Sequence, residues 1–221
     1  MQPGDRRTIT LVLGGVRSGK SRWAQQLAEA VEHVAYVATA QAIDDEMRQK
    51  IRRHQEDRPA HWTTFEEPLE LAQVLTNHAA EFDLMLVDCL TVFVANLLMD
   101  AEEHPWANVQ ISQQISEQTS EHTFEVTAAQ TSEQNSITER TQNLLQALRT
   151  APVSIVLVSN EVGSGVVPPF PSGRKYRDAL GELNQRVAAI ADNVVLMVAG
   201  LPLVLKGTLN GPIKGTYKER L

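Results

Sequence analysis

The sequence predicts an α/β fold in which a mostly parallel sheet lies between two layers of helices, and three observations predict it. Short, nearly continuous apolar runs recur at Ile9–Leu13, Val34–Ala38, Leu84–Val87, Val153–Val158 and Val194–Val198, the pattern of strands covered on both faces. Segments of helical periodicity separate them, as a parallel sheet requires. The first run ends in a glycine-rich turn closing on Lys20 and Ser21.

That turn is the most informative stretch. Gly14, Gly15, Val16, Arg17, Ser18, Gly19, Lys20 and Ser21 fit G-x-x-x-x-G-K-[ST]. In that motif backbone N–H groups at a helix N-terminus surround phosphate oxygens, the lysine reaches the terminal phosphates and the hydroxyl ligates Mg2+. The flanks agree with it: a strand precedes, and Trp23, Leu27 and Val31 recur at helical spacing after it. A chance glycine turn before an ordinary helix is the competing reading, and it has no need of both flanks. The fold class becomes a P-loop NTPase of RecA-like type, three layers α/β/α, with residues 1–221 as a single nucleotide-binding domain.

Composition agrees. A chain of 221 residues that is 43% apolar buries a full core. The net charge of -7 argues against nucleic acid or an anionic membrane surface as partner, since both need a basic face. One cysteine, Cys89, makes no internal disulfide, no leader-like apolar stretch precedes the first strand, and no run nears the roughly 18 apolar residues of a membrane span. The expectation is a soluble, cytoplasmic protein with a small-molecule ligand.

Met1–Arg7 is a polar lead with no assigned role. Val34–Ala38 reads as the second strand, and Thr39, Ala40 and Gln41 as the loop at its carboxyl end, where open α/β sheets bind ligands. Ile43–Asp57 reads as a helix with acids in its first turn and Pro59 behind it. At roughly 100° per residue, Ile43, Met47, Ile51 and His54 share an arc of about 80°. Arg52, Arg53 and Arg58 surround His54 in sequence, favouring a neutral imidazole and suiting phosphate. Such an imidazole is either a nucleophile toward phosphorus or a packing residue.

Thr63–Phe65 reads as a brief strand and Glu66–Glu67 as a solvated turn. Pro68 is placed at the first position of a helix with Leu69, Leu71, Ala72 and Leu75 on its apolar side. Leu84–Asp88, LMLVD, has the form of a Walker B strand, making Asp88 the second candidate beside Ser21 for holding Mg2+. Cys89 reads as a small buried residue. Thr91–Met99 is an apolar helix, after which a polar tract rich in Gln, Ser, Thr and Glu at about 112–142 reads as an inserted, mobile or loosely helical segment. Leu144, Leu145 and Leu148 mark a packed helix. Val153–Val158 is a central strand followed by a Gly/Pro loop from Asn160 and Glu161 to Pro171 that faces substrate. Gly173–Asp192 is a helix with Leu180, Leu183, Val187 and Ile190 inward and Arg174, Arg177 and Arg186 available for anions. Strands at Val194–Val198 and Leu203–Leu205 and a basic tail, Thr208–Leu221, finish the chain.

Taken in order, GGVRSGKS, DDEM, IxxHxxxRPxxW (Ile51, His54, Arg58, Pro59, Trp62), Glu66, VDCLT (Val87–Thr91), NEVGxGVVP from Asn160 and RKYRDxxGxxNQ (Arg174–Gln185) make a recognisable set. The chain resembles the adenosylcobinamide kinase / adenosylcobinamide-phosphate guanylyltransferase family over nearly all its length apart from the first seven residues, the polar tract and the last dozen or so. The resemblance implies a bifunctional enzyme of cobalamin assembly. It would phosphorylate adenosylcobinamide with a nucleoside triphosphate, ATP or GTP, and then transfer GMP from GTP to the new phosphate, with a GMP–histidine intermediate on His54. It further implies that Lys20 assists catalysis and that the nucleotide site comprises residues 14–21, Ala38, Thr39, Ala40, Gln55, Glu56, Asp57, Arg58, Glu66 and Asp88, with Glu66 at the guanosine end and Mg2+ on Ser21 and Asp88. Family members form trimers, so a homo-oligomer is expected. Two other readings remain at this point: a P-loop kinase for another small metabolite, with His54 structural, and a nucleotide-dependent binding module without chemistry.

Overall fold

The computed structural model describes residues 7–42, 45–56, 58–103 and 137–208. Its centre is a sheet of seven strands: β1 Ile9–Gly14, β2 Val34–Ala38, β3 Thr63–Glu66, β4 Leu84–Asp88, β5 Ser154–Asn160, β6 Asn193–Val198 and β7 Leu201–Lys206, in the spatial order β3-β2-β4-β5-β1-β6-β7. All pairings are parallel except β6 with β7. β5 lies between the P-loop strand and β4, the RecA-like order. The helices are α1 Lys20–Ala28, α2 Asp45–Glu56, α3 Leu71–His78, α4 Leu90–Glu103, α5 at 137–150 and α6 Pro171–Ile190.

The period of two along each strand sorts the core into two layers. Ile9, Leu11 and Leu13 face one way, with Val37, Met85, Val87, Ile155 and Leu157, against Leu71 and Leu75 of α3, Phe93 and Leu97 of α4, Leu144 and Leu148 of α5, and Leu180, Leu183 and Val187 of α6. Val12, Tyr36, Leu86, Val156, Val158 and Val195 face the other way, against Ala24 and Ala28 of α1 and against Trp62. Burial on both faces is why these strands read as unbroken apolar runs.

Several boundaries differ from the sequence reading. On α1 the buried residues are Ala24 and Ala28, while Trp23 and Leu27 are half-buried; small side chains let this short helix lie close to the sheet behind the phosphate loop. The helix stops at Ala28, so Val31 follows it, its N–H bonded to the Ala28 carbonyl. Pro68 does not begin α3. The Glu67 carboxylate accepts the N–H groups of Leu69 at 2.9 Å and Glu70 at 2.8 Å, holding a turn that delays the helix to Leu71. α6 begins at Pro171, with a proline in its first turn, and β7 is longer than Leu203–Leu205.

The polar tract drawn at 112–142 overlaps α5, which begins at 137. There Thr141 is buried, Ile137 packs against the core, and Arg140 reaches Asp100 at 3.0 Å and Glu70 at 3.4 Å. The rest of the tract, Ile43 and Asp44 at the start of the predicted second helix, and nearly all of the basic tail lie outside the described residues.

Register is what builds the site. Ala38 pairs with Glu66 on one side and Asp88 on the other, and Gly14 pairs with Asn160. Parallel pairing therefore aligns the carboxyl ends of five strands along one edge, the edge where α/β sheets bind ligands. The energetic weight of the covering layer is testable at Leu148 of α5, which is fully buried. Leu148→Ala should lower unfolding free energy by about 2–5 kcal/mol, read in urea as a lower midpoint with an unchanged slope.

Candidate active site

The phosphate loop connects β1 to α1 and its conformation explains its residues. Gly14 cannot carry a side chain, since a Cβ there would lie 2.4 Å from Ser18 Oγ and 2.8 Å from the Met197 carbonyl oxygen. Gly19, immediately before the helix, has φ 91°, a left-handed conformation that glycine adopts without penalty. The Ser18 N–H donates to the Gly15 carbonyl at 3.3 Å, and the Ser18 carbonyl accepts the Gly200 N–H at 3.0 Å. The loop is thus closed on itself and tied to the β6–β7 turn.

Lys20 opens α1, and its Nζ donates to the Gly15 carbonyl at 3.2 Å, so the ammonium sits over its own loop. Burial lowers its pKa from the ordinary lysine value, with Cys89 and Asp88 acting in the opposite direction. Ser21 Oγ donates to Asp88 Oδ1 at 3.4 Å, which joins the first helical turn to the end of β4. The other carboxylate oxygen, Oδ2, accepts the Tyr36 hydroxyl at 2.9 Å. The Arg58 guanidinium lies over the Tyr36 ring, 3.6 Å from its centroid. At the far side Gln55 Nε2 donates to Glu66 Oε1 at 3.4 Å.

These groups border one cleft of about 320 Å³. Of the residues predicted from sequence, Val16, Arg17, Lys20, Ser21, Ala38, Ala40, Gln55, Arg58, Glu66 and Asp88 line it. Gly14, Gly15, Ser18 and Gly19 contribute the backbone of the loop beneath. Thr39 does not face the cleft: it is fully buried, its hydroxyl donating to the Cys89 carbonyl at 2.8 Å and accepting the Cys89 N–H at 3.0 Å. It fastens the end of β2 to the start of α4. Glu56 is exposed and is not among the lining residues. Asp57 lies outside the described residues. The backbone of His54 belongs to α2, one residue before the cleft-lining Gln55.

Tyr36, Thr91, Val92 and Asn160 also line the cleft; sequence reasoning put Asn160 at the start of a substrate-facing loop and gave the other three no role there. Tyr36 was hidden inside an apolar strand, where an aromatic residue reads as core. Thr91 and Asn160 belong together, the Asn160 N–H donating to Thr91 Oγ1 at 2.8 Å, while buried Asn184 of α6 donates to the Asn160 carbonyl at 3.0 Å. Conversely, the α6 arginines are engaged locally. Arg174 donates to the carbonyls of Pro168 and Pro169, Arg177 contacts Asp178 and Arg186 contacts Glu182, none of them in the cleft lining.

A phosphate loop whose lysine and serine face an acid at the end of β4, two strands from β1 in the sheet, with an arginine and a second acid across the same cleft, defines a P-loop enzyme of phosphoryl or nucleotidyl transfer. The family model for cobinamide kinase / cobinamide phosphate guanyltransferase matches residues 10–205, and the chain belongs to that family. It is 42% identical over 198 residues to the bifunctional adenosylcobalamin biosynthesis protein CobP of Pseudomonas aeruginosa, covering 89% of this chain and 96% of that one. It is 37% identical over 204 residues to the protein CobU of Salmonella typhimurium and 36% identical over 202 residues to that of Escherichia coli, both named as bifunctional adenosylcobalamin biosynthesis proteins; each match covers 90% of this chain and 99% of the relative.

Cys89 borders the cleft without being suited to covalent chemistry. Burial first, and then the charge of Asp88, push its thiol up to about 11. At pH 8 only about one thiol in a thousand is then ionised, against roughly a quarter for a free cysteine. The folded protein should therefore react with a disulfide reagent such as DTNB roughly a hundredfold more slowly than the urea-unfolded chain, followed by absorbance with one equivalent released in each case.

Proposed function

We propose that this chain carries out both reactions of its family, phosphorylating adenosylcobinamide and then transferring GMP to the product, with one triphosphate cleft serving both. The observation that carries this reading is the joining, in a single cleft, of Lys20, Ser21 and Asp88 at the phosphate loop with Gln55, Arg58 and Glu66 around the end of the helix that bears His54.

In the first reaction the substrate hydroxyl oxygen bonds to the γ-phosphorus of ATP or GTP. The bond from that phosphorus to the β–γ bridging oxygen breaks, the nucleoside diphosphate leaves, and the hydroxyl proton is lost. Little covalent work falls to the protein; positioning and charge neutralisation dominate. Lys20 and the amides of the loop neutralise the leaving diphosphate oxygens. Ser21 Oγ and Asp88 Oδ1, 3.4 Å apart, are a hydroxyl and a carboxylate suited to Mg2+, which takes few protein ligands beside phosphate and water. Bound there, Mg2+ would supply charge neutralisation on the triphosphate.

In the second reaction an imidazole nitrogen of His54 bonds to the α-phosphorus of GTP while the bond to the α–β bridging oxygen breaks, and pyrophosphate leaves. A phosphate oxygen of adenosylcobinamide-phosphate then displaces the imidazole, giving adenosylcobinamide-GDP. Lys20 serves again, now toward pyrophosphate, and Arg58 stands across the cleft from it for the remaining anionic oxygens. Glu66, at the end of β3, is assigned to the guanosine end on the family resemblance. A cytoplasmic location and assembly into a homotrimer belong to the same reading, the first resting on the single cysteine and the apolar pattern of the sequence, the second on the family resemblance.

Incubation of the protein with α-labelled GTP, followed by denaturation, should leave label that is lost in acid and kept in alkali. His54→Ala should carry none while keeping its thermal midpoint, and its rate of adenosylcobinamide-GDP formation should fall by at least about a thousandfold. A wild-type protein without covalent label would overturn the guanylyl-transfer reading.

A further inference from the structure

Tyr36 stands at the junction of the two halves of the cleft. It is in the middle of β2 and 2% exposed, and its ring also stacks toward Trp62 at 6.5 Å between centroids. For packing alone a phenylalanine would serve. Instead the hydroxyl donates to Asp88 Oδ2 at 2.9 Å, leaving the Oδ1 atom to Ser21 at 3.4 Å. The face of the same ring carries the Arg58 guanidinium at 3.6 Å. Among the described residues, Arg58 Nε is buried without a hydrogen-bond partner, and Nη1 makes only a long contact, 3.4 Å, to Thr64 Oγ1. A guanidinium lying flat on an aromatic ring keeps its N–H edge directed sideways, the edge that pairs with phosphate oxygens. A buried N–H without a partner is a costly group, and its cost falls when an anion arrives.

We propose that Tyr36 is a positioning residue for the nucleoside triphosphate, its hydroxyl orienting Asp88 toward the Ser21 side of the cleft and its ring holding Arg58 edge-on to the phosphate oxygens. This rests on the reading of the cleft as a triphosphate site. The two roles are separable by substitution. Tyr36→Phe removes the hydroxyl and keeps the ring under Arg58; Tyr36→Leu removes both.

The test is calorimetric titration of α,β-methylene-GTP, whose α–β bridge the transfer step cannot cleave, into each full-length protein, once with Mg2+ and once with EDTA, with circular dichroism to establish the folded fraction. Wild type should bind more tightly with Mg2+. Tyr36→Phe should match wild type in EDTA within about twofold but lose about five- to tenfold of the Mg2+ gain. Tyr36→Leu should lose that gain and, in addition, bind about fivefold or more weakly in EDTA. A purely structural tyrosine would lower the folded fraction and leave the affinities of the folded protein unchanged. A full Mg2+ gain in Tyr36→Phe overturns the hydroxyl role, and wild-type EDTA affinity in Tyr36→Leu overturns the ring role. If Tyr36→Leu does not fold, Arg58→Lys replaces it as the probe of the stack: it keeps the charge, and unchanged EDTA affinity overturns the ring role. Covalent labelling of wild type on His54 reports the functional reading separately, so loss of that reading and loss of this one give different results.

Discussion

Hydrogen-bonded register between parallel strands is the constraint on which the site depends. Five parallel strands contribute their last residues to a common edge: Gly14 beside Asn160, and Ala38 between Glu66 and Asp88. A shift of one residue in any pairing would turn the corresponding side chain to the opposite face of the sheet. That register is secured by the two apolar layers, because the alternation that buries Ile9, Leu11 and Leu13 on one side and Val12 on the other admits one solution. Packing far from the cleft is therefore what aims the groups inside it.

The polar groups at this edge are arranged as a chain of donors and acceptors. Ser21, Asp88 and Tyr36 form one line, with Arg58 laid on the tyrosine ring at its end. Behind them Thr39 uses both its donor and its acceptor on the backbone of Cys89, and Asn96 of α4 donates to the carbonyls of Thr39 and Pro68. These inner bonds satisfy backbone groups where three strand ends turn away from the sheet, and buried groups left unsatisfied there would be costly. The outer groups keep unsatisfied capacity: among the described residues, Arg58 Nε and Asn160 Oδ1 are buried without partners. A rigid inner layer beneath an incompletely satisfied outer one is the arrangement expected of a site that completes its hydrogen bonding with a ligand.

The site was legible where a local rule forces the residue. Gly14, Gly19, Lys20 and Ser21 follow from loop geometry and phosphate chemistry within eight consecutive positions, and LMLVD follows from one strand ending in one acid. Element ends that rest on side-chain to backbone bonds were less legible. α3 begins at Leu71 because Glu67 caps the turn before it, and Glu67 looked like one of two solvated acids. The arginines of α6 looked free in sequence; folding brings Arg174 back onto the carbonyls of Pro168 and Pro169. Thr39, adjacent to the ligand edge in sequence, turns inward because the Cys89 backbone needs it.

By itself the sequence determined the class of fold, the phosphate loop, the acid Asp88 and, through motifs spread along the chain, the family. These are written in short-range patterns: periodicity of two or 3.6, glycine where a side chain would clash, an acid at a strand end. Only the tertiary structure decided that Tyr36 meets Asp88 and Arg58, that the Thr39 hydroxyl turns inward to the Cys89 backbone, and that Asn160 comes to the phosphate loop. Each of those pairings joins residues 22 to 146 positions apart, and their contact depends on which strands are neighbours and in what register. No local propensity encodes that order; it follows from burying every apolar face at once.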